Sequence, residues 1–110
     1  RFHKNGNLKQ EETYHYGKLK NISSYFLPDG TEIENKTFID GEGIIYDYYE
    51  DGVIFSSTKY EQGLIDGLFQ EFYKNGKLAS KGTYNENNKI GTWYEYSKRG
   101  LITKTEDYDK

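Results

Sequence analysis

The chain contains no cysteine. That removes disulfides, thiolate metal sites and a cysteine nucleophile, and it leaves the compartment open. Proline and tryptophan occur once each, and histidine twice. No apolar run approaches the roughly 20 residues that a membrane helix needs. A dominant charge is lacking too. Lys and Arg number 15 against 18 Asp and Glu, a net charge of −3. There is therefore no basic footprint for nucleic acid or for an anionic lipid surface. Only 34% of the 110 residues are hydrophobic, so Leu, Ile and Val cannot supply a large closed core. A chain that opens on Arg1 rather than Met is expected to be a piece of a longer one, with any leader or lipidation site upstream.

What the chain does have is tyrosine and glycine, 12 of each. Tyrosine can serve as apolar mass on a half-wet surface, because its ring is covered while its hydroxyl reaches water. Aromatics favour strands and glycines favour tight turns. The Lys, Asn and Glu content alone would fit a disordered chain, but the aromatics are too regularly placed for that.

The regularity is a repeat. Gly6, Gly30, Gly52, Gly76 and Gly100 follow Asn5, Asp29, Asp51, Asn75 and Arg99 at intervals of 24, 22, 24 and 24 residues. Four positions before each stands an aromatic: Phe2, Phe26, Tyr48, Phe72 and Tyr96. Eight positions after stands another: Tyr14, Phe38, Tyr60, Tyr84 and Tyr108. Two after stands Leu8, Ile54, Leu78 or Ile102, and the second copy has Ile33 one place late. Nine before stands Gly43, Gly67 or Gly91, with Asn21 in the second copy. Agreement at several columns marks an array.

Each copy reads as a β-hairpin. Asn75-Gly76 and Asp51-Gly52 suit a two-residue type I′ turn. Pairing outward sets Tyr73 against Leu78, Glu71 against Ser80, Phe69 against Gly82 and Gly67 against Tyr84. Gly43 then meets Tyr60, and Gly91 meets Tyr108. An aromatic opposite a strand glycine can lie across the bare backbone. Leu27-Pro28-Asp29-Gly30-Thr31 reads instead as a type I turn with Gly30 in a bulge, and that extra residue accounts for Ile33. Alternation then places Leu78, Tyr84, Phe69 and Tyr73, with Ile45, Ile54, Trp93 and Ile102, on one better covered face. The Phe26, Tyr48, Phe72 and Tyr96 column stands on the other. The 22-residue copy deletes two residues and so preserves the facing. The expected fold is all-β, an elongated single-layer antiparallel meander of about five repeated hairpins spanning residues 1–110. Ten strands would make a sheet roughly 45 Å long at about 4.8 Å per strand, with each hairpin buried by its neighbours.

These columns resemble the MORN repeat in its bacterial variant form. The copies that carry the resemblance best are Gly67-Leu68-Phe69-Gln70-Glu71-Phe72-Tyr73-Lys74-Asn75-Gly76-Lys77-Leu78 and Gly91-Thr92-Trp93-Tyr94-Glu95-Tyr96-Ser97-Lys98-Arg99-Gly100-Leu101-Ile102. The likeness weakens in the second copy, where Asn21 replaces the glycine and Ser23 the first large residue. It implies a hairpin-repeat sheet. Some bacterial members are labelled antitoxins of toxin–antitoxin pairs, and eukaryotic arrays serve as scaffolds, membrane-apposition modules or dimerisation modules. Plant phosphatidylinositol phosphate kinases carry such repeats beside a kinase domain. This chain has no G-x-G-x-x-G phosphate loop, no Val-Ala-Ile-Lys-like strand and no His-Arg-Asp loop.

The remaining motifs read as structure rather than chemistry. "GEGIIY", Gly41 to Tyr46, is half a phosphate loop without its third glycine or its helix; repeat register explains Gly43. His3 stands in the column of Leu27, Tyr49, Tyr73 and Ser97, and His15 begins a turn, so no metal pair forms. Asp47, Glu71 and Glu95 form a carboxylate column, the most enzyme-like feature. Successive members lie two strands apart, roughly 10 Å, too far for the close pair of a retaining glycosidase and at the outer limit for an inverting one. They are expected to meet Ser or Lys across the strand. "DYYED", Asp47 to Asp51, lacks the ligand order of a calcium loop. No catalytic residue, cofactor or metal ligand is therefore expected.

The reading is a non-catalytic protein-binding or scaffold module, an antitoxin-like one if the resemblance extends to function. The Phe26, Tyr48, Phe72 and Tyr96 face is the expected contact surface, since Tyr-rich surfaces bind well. The expected partner is another protein, and the sheet edges offer a route to self-association. The alternatives are a membrane-associated module, which the acidic balance disfavours, and an enzyme, which would have to work through the acid column.

Overall fold

A computed structural model describes residues 1–109. Among them there is no helix, and eleven strands follow one another: β1 Glu12–His15, β2 Lys18–Ile22, β3 Tyr25–Phe26, β4 Glu32–Ile33, β5 Phe38–Ile39, β6 Glu42–Tyr48, β7 Ile54–Glu61, β8 Leu64–Phe72, β9 Leu78–Asn85, β10 Asn88–Tyr96 and β11 Ile102–Asp107. Strands β5 to β11 form one seven-stranded antiparallel meander, in which every strand pairs with its sequence neighbours. β1–β2 and β3–β4 are separate two-stranded pieces. The fold is the expected all-β hairpin meander.

The sheet is interrupted where the repeat is weakest. Regular copies run one strand through the region that here breaks between β2 and β3, at Ser23 and Ser24. Its partner strand breaks between β4 and β5. Side chains replace the ladder: Asn21 Oδ1 accepts from the Asp40 amide at 3.1 Å, and Asn35 Nδ2 donates to the Phe38 carbonyl at 2.7 Å. With part of the chain outside the main sheet, the molecule measures 38 × 34 × 22 Å, shorter than ten strands in a row.

The five turns share one form, and it is the form read for the proline turn alone. In each, the turn glycine donates to the carbonyl three residues back, as Gly76 does to Tyr73 at 2.9 Å. The residue three before the glycine donates across to the one after it, as Tyr73 does to Lys77 at 2.8 Å. Only the glycine has positive φ, between 85° and 92° in the five copies, the signature of a type I turn closed by a glycine bulge. The residue before the glycine stabilises it: Asn5, Asp29, Asp51 and Asn75 each accept the amide two residues on, at 2.9 to 3.1 Å. Arg99 cannot, and Ser97 Oγ accepts from Arg99 and Leu101 instead.

The type I′ turns stand at the opposite ends of the strands. Tyr16-Gly17, Asp40-Gly41, Gln62-Gly63 and Glu86-Asn87 have positive φ at both residues. Each closes a two-residue hairpin, as His15 pairs Lys18 and Asn85 pairs Asn88.

The corrected turn should have shifted every pairing by one residue, yet Glu71–Ser80, Phe69–Gly82 and Gly67–Tyr84 pair as expected. The reason is a second bulge. Phe72, not Tyr73, pairs with Leu78, and the register then slips between Phe72 and Glu71. One residue added at the turn is cancelled by one skipped at Ala79. Tyr48–Ile54 and Tyr96–Ile102 repeat the slip. Paired residues share a face, so Ile54, Leu78 and Ile102 lie with the Tyr48, Phe72 and Tyr96 column, not with Phe69 and Trp93. The second copy lacks this bulge. Tyr25 pairs directly with Ile33, which is why Ile33 comes one place late.

The glycine–aromatic pairs are present: Gly43 pairs with Tyr60, Gly67 with Tyr84, and Gly91 accepts from the Tyr108 amide at 2.9 Å. Their cause differs from ring-over-backbone packing. These glycines have φ of 119°, 113° and 66°, and the pairing with the preceding strand shifts by two residues around Gly67 and Gly91. A Cβ on Gly67 would meet the Lys59 stem at 2.9 Å, and one on Gly43 would strike the Thr37 carbonyl. The ring that lies over glycine is Trp93, on Gly82, where a Cβ would sit inside the indole.

Candidate functional site

Two faces of the meander carry the chemistry. On the first, a row crosses six strands through directly paired residues: Asp47–Ser56, Ser56–Glu71, Glu71–Ser80, Ser80–Glu95 and Glu95–Lys104. Acids alternate with serines, as the carboxylate column predicted. Asp47 accepts from the Arg1 guanidinium at 2.9 Å. Glu95 has Lys104 at 3.7 Å, and Glu71 accepts from the Ser80 hydroxyl at 2.9 Å. Ser56 and Ser80 separate Asp47, Glu71 and Glu95 from one another along the row.

Beside that row stand the rings. Phe69 and Trp93 stack at 5.7 Å, and Tyr84 is edge-on to both at 5.8 and 5.1 Å. Tyr108 meets Trp93 edge-on at 6.1 Å. With Glu71, Glu95, Glu106, Lys89 and Lys104 these rings line an open groove of about 300 Å³. The Lys89 ammonium lies 4.5 Å from the Trp93 ring and 5.3 Å from Tyr108. Burial, then Glu71, pushes the Tyr84 hydroxyl above its ordinary pKa. The Tyr108 hydroxyl donates to Glu106, which holds that carboxyl below its usual range.

The second face carries the aromatic column named from the sequence. Phe72, Ile54, Tyr46, Val53, Ser57, Gln70 and Gly76 line a hollow of about 400 Å³. Tyr96 stacks on Tyr94 at 6.3 Å, with Lys81 over the Tyr94 ring. Tyr48 is met edge-on by Tyr25 at 5.0 Å, and burial raises its hydroxyl. Phe26 stands apart in the β3–β4 piece, against Asn7, Leu8 and Gly30. All four are half-buried. The structure therefore puts Tyr48, Phe72 and Tyr96 on one sheet face, and Phe26 elsewhere.

A ladder that no sequence column revealed joins the copies. His3 Nε2 donates to the Phe26 carbonyl at 2.6 Å, Tyr25 to Tyr48 at 3.4 Å, Tyr49 to Phe72 at 2.6 Å and Tyr73 to Tyr96 at 2.7 Å. Every acceptor is the column aromatic, 23 residues after its donor. Leu27 stands in the donor column without a donor group, and Tyr25, two residues earlier, takes its place. His3 is thereby a structural member of its column. His15 packs on Tyr16 at 4.3 Å. Among the described residues no three His, Asp or Glu side chains are placed to hold a metal, and no helix is long and apolar enough to cross a membrane.

Fold and faces together define a β-hairpin repeat array with aromatic surfaces open on both sides. Residues 1–16 and 65–86 match the family model described as MORN repeat variant, which supports the resemblance to MORN repeats over those stretches. The second stretch spans most of β8, the turn at Gly76 and β9. No curated protein and no solved structure matches the chain.

Proposed function

We propose that the chain is a non-catalytic repeat module that binds another protein through the Tyr48, Phe72 and Tyr96 face. The observation that carries this is the bulge beside the turns at Gly52, Gly76 and Gly100. It adds Ile54 and Ile102, 38% and 55% exposed, to a face already lined with rings. An apolar, aromatic surface open to solvent is the composition from which interface anchors are drawn. The row of acids on the other face, each separated from the next by a serine, gives no paired acid and base for hydrolysis. An antitoxin-type role, with a toxin as the partner, is the finer form of the same proposal. Self-association would use β11, an edge strand exposed along its whole length.

The test compares wild type with Tyr48→Ser/Tyr96→Ser in capturing partners from the native host, with circular dichroism to confirm folding. Partner loss on the double variant supports the assignment, and equal capture removes it. Substrate turnover by the wild type would end the non-catalytic reading.

A further inference from the structure

We propose that the groove around Glu71 receives an arginine side chain of a partner polypeptide. This rests on the protein-binding reading but places a contact on the opposite face from the Tyr48 column.

The repeat supplies its own comparison. Asp47, Glu71 and Glu95 hold one position, five residues before successive turn glycines, and one row across the sheet. Asp47 is met by a guanidinium: Arg1 reaches it at 2.9 Å, and also reaches Glu12 at 3.1 Å and the Gln10 amide oxygen at 2.6 Å. Glu95 has the ammonium of Lys104. Glu71, between them, has a hydroxyl and no ion pair among the described residues. The middle position of the row thus keeps its carboxylate and lacks the cation that both neighbours have.

The walls fit the same occupant. Phe69, Tyr84, Trp93 and Tyr108 line the groove with Glu71, and ring faces attract cations, arginine above all because its flat guanidinium also stacks. The chain already uses them so, since Lys89 lies over Trp93 and Tyr108. Three carboxylates, Glu71, Glu95 and Glu106, face two ammonium groups, Lys89 and Lys104, which leaves the lining acidic. A volume of about 300 Å³ is at the small end for ligand sites and admits one long side chain. Charge, aromatic walls and size point to a single guanidinium, with the fork of its donors on Glu71.

Trp93 is the only tryptophan and lines the groove, so its fluorescence reports occupancy. The probes are blocked Ala-Arg-Ala tripeptide and its citrulline and lysine counterparts, citrulline keeping the shape without the charge. The arginine peptide should give a saturable change with a Kd of about 1–10 mM, the affinity of one good contact. It should weaken with salt and bind at least tenfold tighter than the citrulline peptide. Glu71→Gln should lose at least tenfold, while Glu34→Gln, paired only with exposed Lys36, should change nothing. Equal response to citrulline, or an unaffected Glu71→Gln, overturns the inference, and equal response to lysine overturns the choice of arginine. The peptide comparison on wild type stands even if the variant misfolds. Because Tyr48 and Tyr96 lie on the other face, failure here leaves partner capture through that face intact, and the reverse also holds.

Discussion

The Tyr49 hydroxyl donates to the carbonyl of Phe72 at 2.6 Å, one repeat along the chain, and Tyr73 does the same to Tyr96 at 2.7 Å. Each acceptor sits at the bulge beside its turn, where the strand ladder slips. The ladder of side-chain bonds thus ties each turn to the next one.

Removing a rung should therefore cost stability without changing the fold. Tyr49→Phe or Tyr73→Phe deletes one hydroxyl and is expected to cost about 0.5–1.5 kcal/mol, more where the carbonyl left behind stays dry. Urea midpoints measure it. Midpoints equal to wild type would mean that water replaces the rung at no cost.

Gly82→Ala should be among the most damaging small substitutions. A Cβ there would sit within the Trp93 indole, so the ring must leave its stack with Phe69. Overpacking of this kind costs about 1–3 kcal/mol. Near-ultraviolet circular dichroism should lose its tryptophan signal in step with the stability. A variant that keeps both would place Trp93 elsewhere.

Gly76→Ala tests a different cost. Nothing lies within 4 Å of the added Cβ, so only the backbone, at φ 85°, objects. About 1–2 kcal/mol is expected, and Gly76→Asn should lose less, since Asn tolerates left-handed backbone. Thermal melts of the two variants give the order, and Asn falling below Ala would contradict the turn assignment.

Alkali should loosen the array. Burial pushes the hydroxyls of Tyr25, Tyr48, Tyr60 and Tyr84 above their ordinary pKa. The folded chain therefore holds these protons more tightly than the unfolded one. Their contribution is fully present below the unfolded value of about 10 and is lost as pH rises through the higher folded values. Phenolate absorbance should show a late-titrating group of tyrosines, and unfolding should accompany it. Titration of all tyrosines together near the unfolded value would count against the burial.

The period and the strands were legible because they need only a two-residue alternation and a regular spacing, and the far pairings such as Gly67–Tyr84 came out as expected because the residue added at the turn and the one skipped at Ala79 cancel. The facing of Leu78 was not legible, since a one-residue bulge at Ala79 leaves no mark of its own in residue type. The break in the second copy was not foreseen, although Asn21 and Ser23 mark where the likeness to the repeat weakens. The type I′ turns had a signal that went unread: Gly17, Gly41 and Gly63 recur at 24 and 22 residues, the same period as the turn glycines. The ladder from Tyr49 and Tyr73 was beyond reach, because a backbone carbonyl accepts with no residue signature at all. For the candidate site, the alternation of acids with Ser56, Ser80 and Lys104 could be read by pairing outward from the turn. The sharing of one face by Phe69, Tyr84 and Trp93 followed from the alternation, but the seat of Trp93 on Gly82 did not, since the register of β10 on β9 shifts between Ile90 and Tyr94.

The paired slips at Gly52, Gly76 and Gly100, one residue added at the glycine and one skipped three places on, act as a local clutch. Whatever happens at the tip, the strands beyond it engage in the same phase. The phase of the strands thereby does not depend on the tip side chains, whereas Lys74 and Lys98 lie over the Tyr49 and Tyr73 rings at 5.5 and 5.9 Å, so a change of charge there removes a contact to the ladder. An engineer could graft short recognition loops at Gly52, Gly76 or Gly100, keep both slips, and expect the two surfaces to survive unchanged.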